Sequence, residues 1–256
     1  MKLSRTVVLT SAMTLTVVVG LVGWDAATST TSTSATSAGS TASGTSTATA
    51  SGTATPTLPA STAQGAPVDD DAAMVTIGDS IMAGYGLDDA SDAWPVLLGA
   101  QTGASVTNDS CSGAGFVAVG SCGSDYAGLL SAAVAAKPGI VLVESSDNDL
   151  GEDPTALASA TTTTIAALHD ALPDARIVGL STLWDQPGTV PDEVADSSAD
   201  LQQAVQAVGG TFVDVGQPIA TGTGLLQADS EHPTVAGQQV LEGAVLDDLR
   251  AAGVEG

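Results

Sequence analysis

The segment VTIGDSIMAGYGL, residues 75–87, carries a serine at a position suited to a nucleophile. A β-branched run ends at Gly78-Asp79-Ser80, so Ser80 lies where a predicted strand gives way to a glycine-rich stretch. A serine hydroxyl reacts poorly until a base accepts its proton. The tripeptide is also typical of an ordinary turn. The nucleophile hypothesis therefore requires a base, an orienting acid and an oxyanion hole elsewhere in the chain.

The two histidines narrow the search for that base. His169 lies in AALHDAL beside Asp170, within a helical pattern, and is typical of a solvent-facing helical side chain. His232 lies in DSEHPTVAG, and Asp229 precedes it by three residues. In a tight turn this spacing can bring a carboxylate to one ring nitrogen and leave the other nitrogen for a serine. The alternative for this segment is an acidic loop that caps the next helix.

Other reactive groups fit their motifs less well. Met82 interrupts the G-x-S-x-G pattern, and no serine stands three residues before Lys137 to form a Ser-x-x-Lys dyad. In an exported chain, Cys111 and Cys122 favour a disulfide over a cysteine nucleophile. The stretch DNDLGED, residues 147–153, has its glycine one place too early for a calcium loop. We therefore predict neither a metal nor a cofactor.

Two further segments offer hydrogen-bond donors for a developing oxyanion, which acyl transfer requires. TNDSCSGAGF, residues 107–116, follows the second predicted strand and contains Gly113, whose N–H a substrate can approach closely. ESSDNDL, residues 144–150, follows the third predicted strand and contains Asn148, whose side-chain amide can donate. Each segment is also compatible with a simple turn.

The positions of these segments depend on five short β-branched runs that alternate with helical patterns. The predicted strands are residues 73–77, 104–108, 139–144, 175–181 and 211–215. Helical spacing of apolar residues predicts helices over 155–172 and 192–208 and a terminal helix through Leu241, Val245 and Leu249. This alternation predicts a three-layer α/β/α sandwich with a parallel, flavodoxin-like five-stranded sheet. Ligands bind such sheets at the carboxyl ends of the strands, which is where Ser80 follows the first strand.

The first 67 residues differ in composition from the rest. Lys2 and Arg5 precede an apolar run, so residues 1–25 are typical of a signal peptide or an N-terminal membrane anchor. We therefore expect a secreted or extracellular protein, either released or anchored by this segment. Residues 26–67 are mostly Ser, Thr, Ala and Gly and predict a disordered stalk. Residues 68–256 are long enough for one domain with a sizeable core.

Charge and aromatic content limit the partners. The formal net charge is −24, so the chain cannot neutralise the phosphates of a nucleic acid. Only 3% of the residues are aromatic, too few for an extended polysaccharide-stacking platform. We expect a monomer that acts on a small molecule.

Four blocks in this order resemble the SGNH hydrolases, the GDSL lipase/esterase family. They contain Ser80 in GDS, Gly113 in NDSCSG, Asn148 in DND and His232 in D-x-x-H-P. The longer stretch GDSIMAGYGLDDASDAWPVLL is similar to the branch of esterases, thioesterases and lysophospholipases. The resemblance extends from residue 73 to about residue 250.

The resemblance implies a serine esterase that acts on a small ester or acyl substrate through an acyl-enzyme. In that mechanism Ser80 is the nucleophile, His232 the base and Asp229 its orienting acid. The backbone N–H groups of Ser80 and Gly113 and the Asn148 amide would form the oxyanion hole. The alternative is a non-catalytic cell-surface binding module that keeps the hydrolase fold as a scaffold.

One residue departs from the family pattern. The third block usually reads G-x-N-D, and Ser146 occupies the place of that glycine. A side chain at this position is expected either to narrow the pocket or to tilt the Asn148 amide.

Overall fold

The computed structural model of the chain describes residues 73–184 and 186–254. The predicted leader, residues 1–25, and the predicted stalk, residues 26–67, lie outside the described residues. The strands are β1 (Ala73–Ile77), β2 (Ser105–Asn108), β3 (Ile140–Glu144), β4 (Arg176–Leu180) and β5 (Thr211–Val213). The α-helices are α1 (Ser80–Ala83), α2 (Trp94–Thr102), α3 (Tyr126–Ala136), α4 (Pro154–Ala171), α5 (Asp192–Ala207) and α6 (Val235–Ala251). Short 3-10 helices span Ala90–Asp92 and Asp147–Asp149.

The strands form one parallel sheet in the order β2-β1-β3-β4-β5. This order confirms the predicted flavodoxin-like α/β sandwich. The strand order reverses at β1, whose residue Val75 pairs with Thr107 of β2 on one side and Val141 of β3 on the other. Such a reversal leaves a crevice at the carboxyl ends of the strands, so the segments that follow β1, β2 and β3 lie around one place.

Alternating strand residues contribute to two hydrophobic cores, one on each face of the sheet. On the first face, Met74 and Leu142 belong to the core that also includes residues of α2 and α6. On the second face, Val75 and Val143 belong to the core that includes residues of α3, α4 and α5. Because both faces are covered, every residue of the central strand β3 is buried.

The observed elements differ from the predicted ones at several ends. β5 ends at Val213 rather than at residue 215, because residues 214–216 already leave the sheet. The sequence patterns did not predict α2 or α3. The α3 segment YAGLLSAAVAA is apolar all round and buries only Tyr126 and Ala133, so no single apolar stripe marks it as a helix. Among the helices of residues 73–184 and 186–254, none combines the length and apolar character that a membrane span requires.

Candidate active site

Ser80 lies just beyond the carboxyl end of β1, as the first residue of α1. Asp79 caps this helix, and its carboxylate accepts a hydrogen bond from the Ile81 N–H at 2.9 Å. At Gly78 an added Cβ would lie 2.5 Å from the sulfur of Met82, so the turn from strand to helix requires glycine. The turn therefore fixes Ser80 at the edge of the sheet, with 8% of its surface exposed.

A chain of hydrogen bonds joins Ser80 to His232 and Asp229. The His232 Nε2 lies 3.0 Å from the Ser80 Oγ, and the His232 Nδ1 lies 2.9 Å from the Asp229 Oδ2. The other carboxylate oxygen of Asp229 accepts the backbone N–H groups of Glu231 and His232, each at 3.1 Å. These hydrogen bonds lower the pKa of Asp229 to about 2, and the bond from the His232 ring has the largest effect. Asp229 is therefore ionised over the whole physiological range and can hold the imidazole by one nitrogen.

Backbone bonds between β5 and α6 shape the turn that carries this pair. The Gln227 N–H donates to the carbonyl of His232 at 2.7 Å, and the Thr234 N–H donates to the carbonyl of Leu225 at 2.7 Å. Thr234 then caps α6 through the Gly237 N–H. The D-x-x-H-P segment thus brings its acid and its base together, and the capping role belongs to Thr234.

Gly113 lies in a loop that extends past β2 beside the Ser80 turn. The Cys111 N–H donates to the carbonyl of Gly78 at 2.9 Å, which continues the sheet pairing beyond the strands. Gly113 has a φ of 80°, a left-handed conformation that favours glycine. The predicted disulfide between Cys111 and Cys122 is present, with its Cα atoms 6.0 Å apart. The loop is therefore attached covalently two residues before Gly113.

Asp149 also holds this loop, a role that the sequence analysis missed. Its carboxylate accepts three backbone N–H groups, from Phe116 at 2.7 Å, Val117 at 2.9 Å and Ala118 at 2.8 Å. The acid that ends the DND block thus connects the Asn148 loop to the Gly113 loop. The available signal was an acid directly after the asparagine in the DND block.

Ser146 connects Asn148 to Asp79. The Ser146 hydroxyl donates to the Asp79 Oδ2 at 2.6 Å and accepts the Asn148 backbone N–H at 3.1 Å and its side-chain Nδ2 at 2.9 Å. The same Nδ2 lies 3.3 Å from the carbonyl oxygen of Ala114. One donor and two acceptor positions are the full capacity of a hydroxyl. Ser146 therefore fixes the orientation of the Asn148 amide, whose N–H groups point to protein acceptors in the free site.

Several carboxyl groups at this edge have raised pKa values. Burial raises the pKa of Asp79, against the opposing effects of the Ser146 hydroxyl and the Ile81 N–H. Burial also raises the pKa of Asp147 to about 7, with further contributions from the charges of Asp79 and Glu231. Desolvation disfavours the charged form of a carboxyl, and neighbouring negative charges act in the same direction. At this edge of the sheet, burial and neighbouring acids therefore oppose the ionisation of Asp79 and Asp147.

Comparisons with known proteins identify the family of the chain. The sequence pattern of the GDSL-like Lipase/Acylhydrolase family matches residues 76–240. Among solved structures, TesA is 25% identical, with a TM-score of 0.57 over 70% of this chain and 99% of that chain. The psychrotrophic esterase EstA from Pseudoalteromonas sp. is 21% identical, with a TM-score of 0.58 over 71% of this chain and 98% of that chain.

A family two carbohydrate esterase from Cellvibrio japonicus has the same fold at 16% identity, with a TM-score of 0.58 over 73% of this chain and 63% of that chain. A comparison with curated protein sequences finds no match. The family pattern covers well over half of the chain, including Ser80, Gly113, Asn148 and His232. The chain therefore belongs to the GDSL-like lipase/acylhydrolase family of ester-hydrolysing enzymes.

Proposed function

We propose that the chain is a serine esterase that hydrolyses a small ester or acyl substrate through an acyl-enzyme formed on Ser80. The observation that carries the proposal is the unbroken series of hydrogen bonds from Ser80 through His232 to Asp229, at 3.0 and 2.9 Å. A base within hydrogen-bond reach of the hydroxyl, itself oriented by an acid, is the arrangement that activates a serine.

The first half-reaction acylates the serine. The Ser80 Oγ attacks the carbonyl carbon of the substrate while the His232 Nε2 accepts the hydroxyl proton. Asp229 holds the Nδ1–H and stabilises the imidazolium that forms. The tetrahedral intermediate then collapses, the bond to the leaving group breaks, and His232 gives its proton to the departing alcohol or thiol.

The second half-reaction regenerates the enzyme. A water molecule attacks the acyl carbon and gives its proton to the His232 Nε2, and collapse of the second intermediate returns that proton to the Ser80 Oγ and releases the carboxylic acid. In both halves the negative charge develops on the former carbonyl oxygen. We assign its stabilisation to the backbone N–H groups of Ser80 and Gly113 and to the Asn148 amide. The fixed loop around Gly113 supports this assignment, because preorganised donors need no rearrangement during the reaction.

We further propose that the enzyme acts outside the cell. The leader-like residues 1–25 and the Ser/Thr-rich residues 26–67 support export, and the Cys111–Cys122 bridge suits an oxidising compartment. Fractionation of the source cells tests this proposal. Mature protein in the medium indicates release, protein that stays with the membrane indicates an anchor, and cytoplasmic protein that retains Met1 would contradict export.

Two measurements test the esterase proposal against the non-catalytic alternative. A fluorophosphonate probe should label the parent chain at Ser80 and leave Ser80→Ala unlabelled, because phosphonylation requires an activated serine. Peptide mapping of the labelled protein identifies the modified residue. A folded parent chain that fails to react would favour a binding module. A panel of p-nitrophenyl esters from two to sixteen carbons then identifies the acyl length, and we expect the short esters to give the highest kcat/KM.

A further inference from the structure

Tyr85 contacts the imidazole that we assign as the base. The ring centroids of Tyr85 and His232 lie 4.4 Å apart, and the ring planes are inclined by 41°. Tyr85 is 53% exposed, so hydrophobic burial does not account for its placement. Both nitrogens of His232 are already engaged, by Ser80 and by Asp229. The Tyr85 ring therefore contacts the imidazole without competing for either hydrogen bond.

Gln227 connects the segment that carries Tyr85 to the segment that carries His232. Its side-chain Nε2 donates to the carbonyl oxygen of Tyr85 at 2.7 Å and to that of Pro233 at 2.9 Å. Its backbone N–H donates to the carbonyl of His232 at 2.7 Å. The bond to Tyr85 joins two segments that lie more than 140 residues apart in the sequence, and the other two bonds hold Gln227 within the turn that carries His232.

Gly86 permits the close approach of the Gln227 side chain to the backbone beside Tyr85. Its φ is 76°, and a Cβ at this position would collide with the side-chain oxygen of Gln227. The glycine after Tyr85 thus leaves room for the Gln227 amide to reach the Tyr85 carbonyl.

We propose that Tyr85 is a positioning residue for His232 and that Gln227 keeps the two rings in contact. This inference rests on the proposed function. During the reaction the imidazole must accept a proton from Ser80 and later deliver it to a leaving group. The Tyr85 ring restricts rotation of the imidazole and attracts the imidazolium that forms transiently, because an aromatic ring attracts a nearby cation. The imidazolium is a feature of the transition states, so the contact acts on kcat more than on KM.

Substitutions at Tyr85 separate these effects. Tyr85→Leu removes the aromatic ring and should lower kcat for a short p-nitrophenyl ester about tenfold, with KM changed less than about twofold. The acid limb of its kcat/KM profile should move to lower pH by about 0.3–0.5, because the protonated imidazole loses a favourable contact. Tyr85→Phe keeps the ring and should stay within about twofold of the parent in both parameters.

Gln227 supplies the second half of the test. Gln227→Leu removes the amide donor and should also lower kcat several-fold in the parent, but much less in the Tyr85→Leu background, because both changes act through the same ring contact. Gln206→Leu is the control, since Gln206 is an exposed glutamine near the end of α5, and it should leave kcat unchanged. Additive losses at Tyr85 and Gln227 would overturn the proposed connection.

A spectroscopic measurement separates failure of this inference from failure of the proposed function. In ¹⁵N-imidazole NMR, the ring signals of His232 should change in Tyr85→Leu and stay close to the parent in Tyr85→Phe, whether or not any ester is cleaved. A parent chain that neither cleaves esters nor reacts with fluorophosphonate would contradict the esterase proposal. An active parent whose Tyr85→Leu variant keeps its kcat, pH profile and His232 signals would contradict the role of Tyr85 alone.

Discussion

The two edges of the parallel sheet carry different charged groups. The amino-end edge has all three lysine and arginine side chains of the described residues: Lys137 precedes β3, Arg176 begins β4, and Arg250 lies in the last turn of α6. Arg176 reaches the carbonyl of Gly253 at 2.9 Å. The carboxyl-end edge, where Ser80 meets His232, has acids without a described lysine or arginine beside them.

Two acids of the carboxyl-end edge, Asp149 and Asp229, are held by hydrogen bonds from several donors. Asp149 accepts three backbone N–H groups, and Asp229 accepts two backbone N–H groups besides the His232 ring. Such bonds orient a carboxylate but do not cancel its net charge. The carboxyl-end edge therefore combines fixed geometry with an excess of acidic over lysine and arginine side chains among the described residues.

The largest expected effect comes from the catalytic set. Ser80→Ala and His232→Ala should each lower kcat by about 10⁴-fold or more, and the double variant should be little worse, because the two residues act as one unit. Ser131→Ala, an exposed serine of α3, is the matched control and should keep full activity. The kcat of each variant is measured by hydrolysis of a p-nitrophenyl ester. Multiplicative losses in the double variant would show that Ser80 and His232 act separately.

The second effect concerns the Asn148 amide. Asn148→Ala should lower kcat by about 10²–10³ with KM nearly unchanged, because an oxyanion donor acts mainly in the transition state. In the free site this amide points to Ser146 and Ala114, so the oxyanion must draw one of its N–H groups away during the reaction. A loss below about tenfold would mean that Ser146 retains the amide and that backbone donors hold the charge.

Ser146→Gly restores the residue typical of the family and shows whether Ser146 assists or hinders the Asn148 amide. The variant loses the 2.6 Å bond to the buried Asp79, so its free energy of unfolding should fall by about 1–3 kcal/mol in urea denaturation. If Ser146 positions the Asn148 amide, kcat should fall as well. A rise in kcat would show that the hydroxyl competes with the oxyanion for the amide.

The third effect is on stability. Replacing both Cys111 and Cys122 by serine opens a short loop and should lower the free energy of unfolding by about 3 kcal/mol in the chain-entropy model. The kcat should fall too, because the Gly113 loop then depends on Asp149 and backbone bonds alone. Urea denaturation and ester hydrolysis measure the two losses. Unchanged kcat in the folded variant would show that Asp149 suffices to hold the loop.

The fourth effect follows from Asp147. Its pKa is raised from 3.8 to about 7, so folding takes up a proton between these values and stability falls as the pH rises through that window. Asp147→Asn removes this penalty and should raise the free energy of unfolding by about 1–3 kcal/mol at pH 8, but not at pH 3.5. Asp170→Asn, an exposed acid near the end of α4, is the control at the other edge. An equal gain at both pH values would contradict the raised pKa.

The sequence predicted the fold because β-branched runs that alternate with helical spacing are local patterns. β-branched runs marked the five strands, and a strand end marked Ser80. Contacts between distant segments could not be read in this way. Asp149 binds loop residues more than 30 positions away, and Tyr85 meets His232 only after folding. The bond between the Ser146 hydroxyl and Asp79 likewise joins residues far apart in the sequence that only the folded chain brings together.

The smallest expected effect is a dependence of kcat/KM on the charge of the substrate. It tests whether the excess of acids at the carboxyl-end edge affects the reaction. A negative field at the site attracts cations and repels anions, and low salt extends its reach. Acetylcholine, its uncharged isostere 3,3-dimethylbutyl acetate and the anionic 2-sulfoethyl acetate provide a graded series of acetates. At pH 8 and low ionic strength we expect kcat/KM to fall in that order, by about threefold to tenfold between neighbours.

Salt and charge variants show whether this preference arises at the catalytic edge. In about 0.5 M salt the differences should shrink to less than about twofold, because exposed charges then interact over only a few ångströms. Asp147→Asn and Glu231→Gln should each weaken the preference at low salt, since both acids lie directly before site residues. Asp170→Asn removes the same charge far along α4 and should leave it intact. Equal kcat/KM values for the cationic and anionic esters at low salt would show that the site is screened from its own acids, and that the charge difference between the two edges has no role in substrate selection.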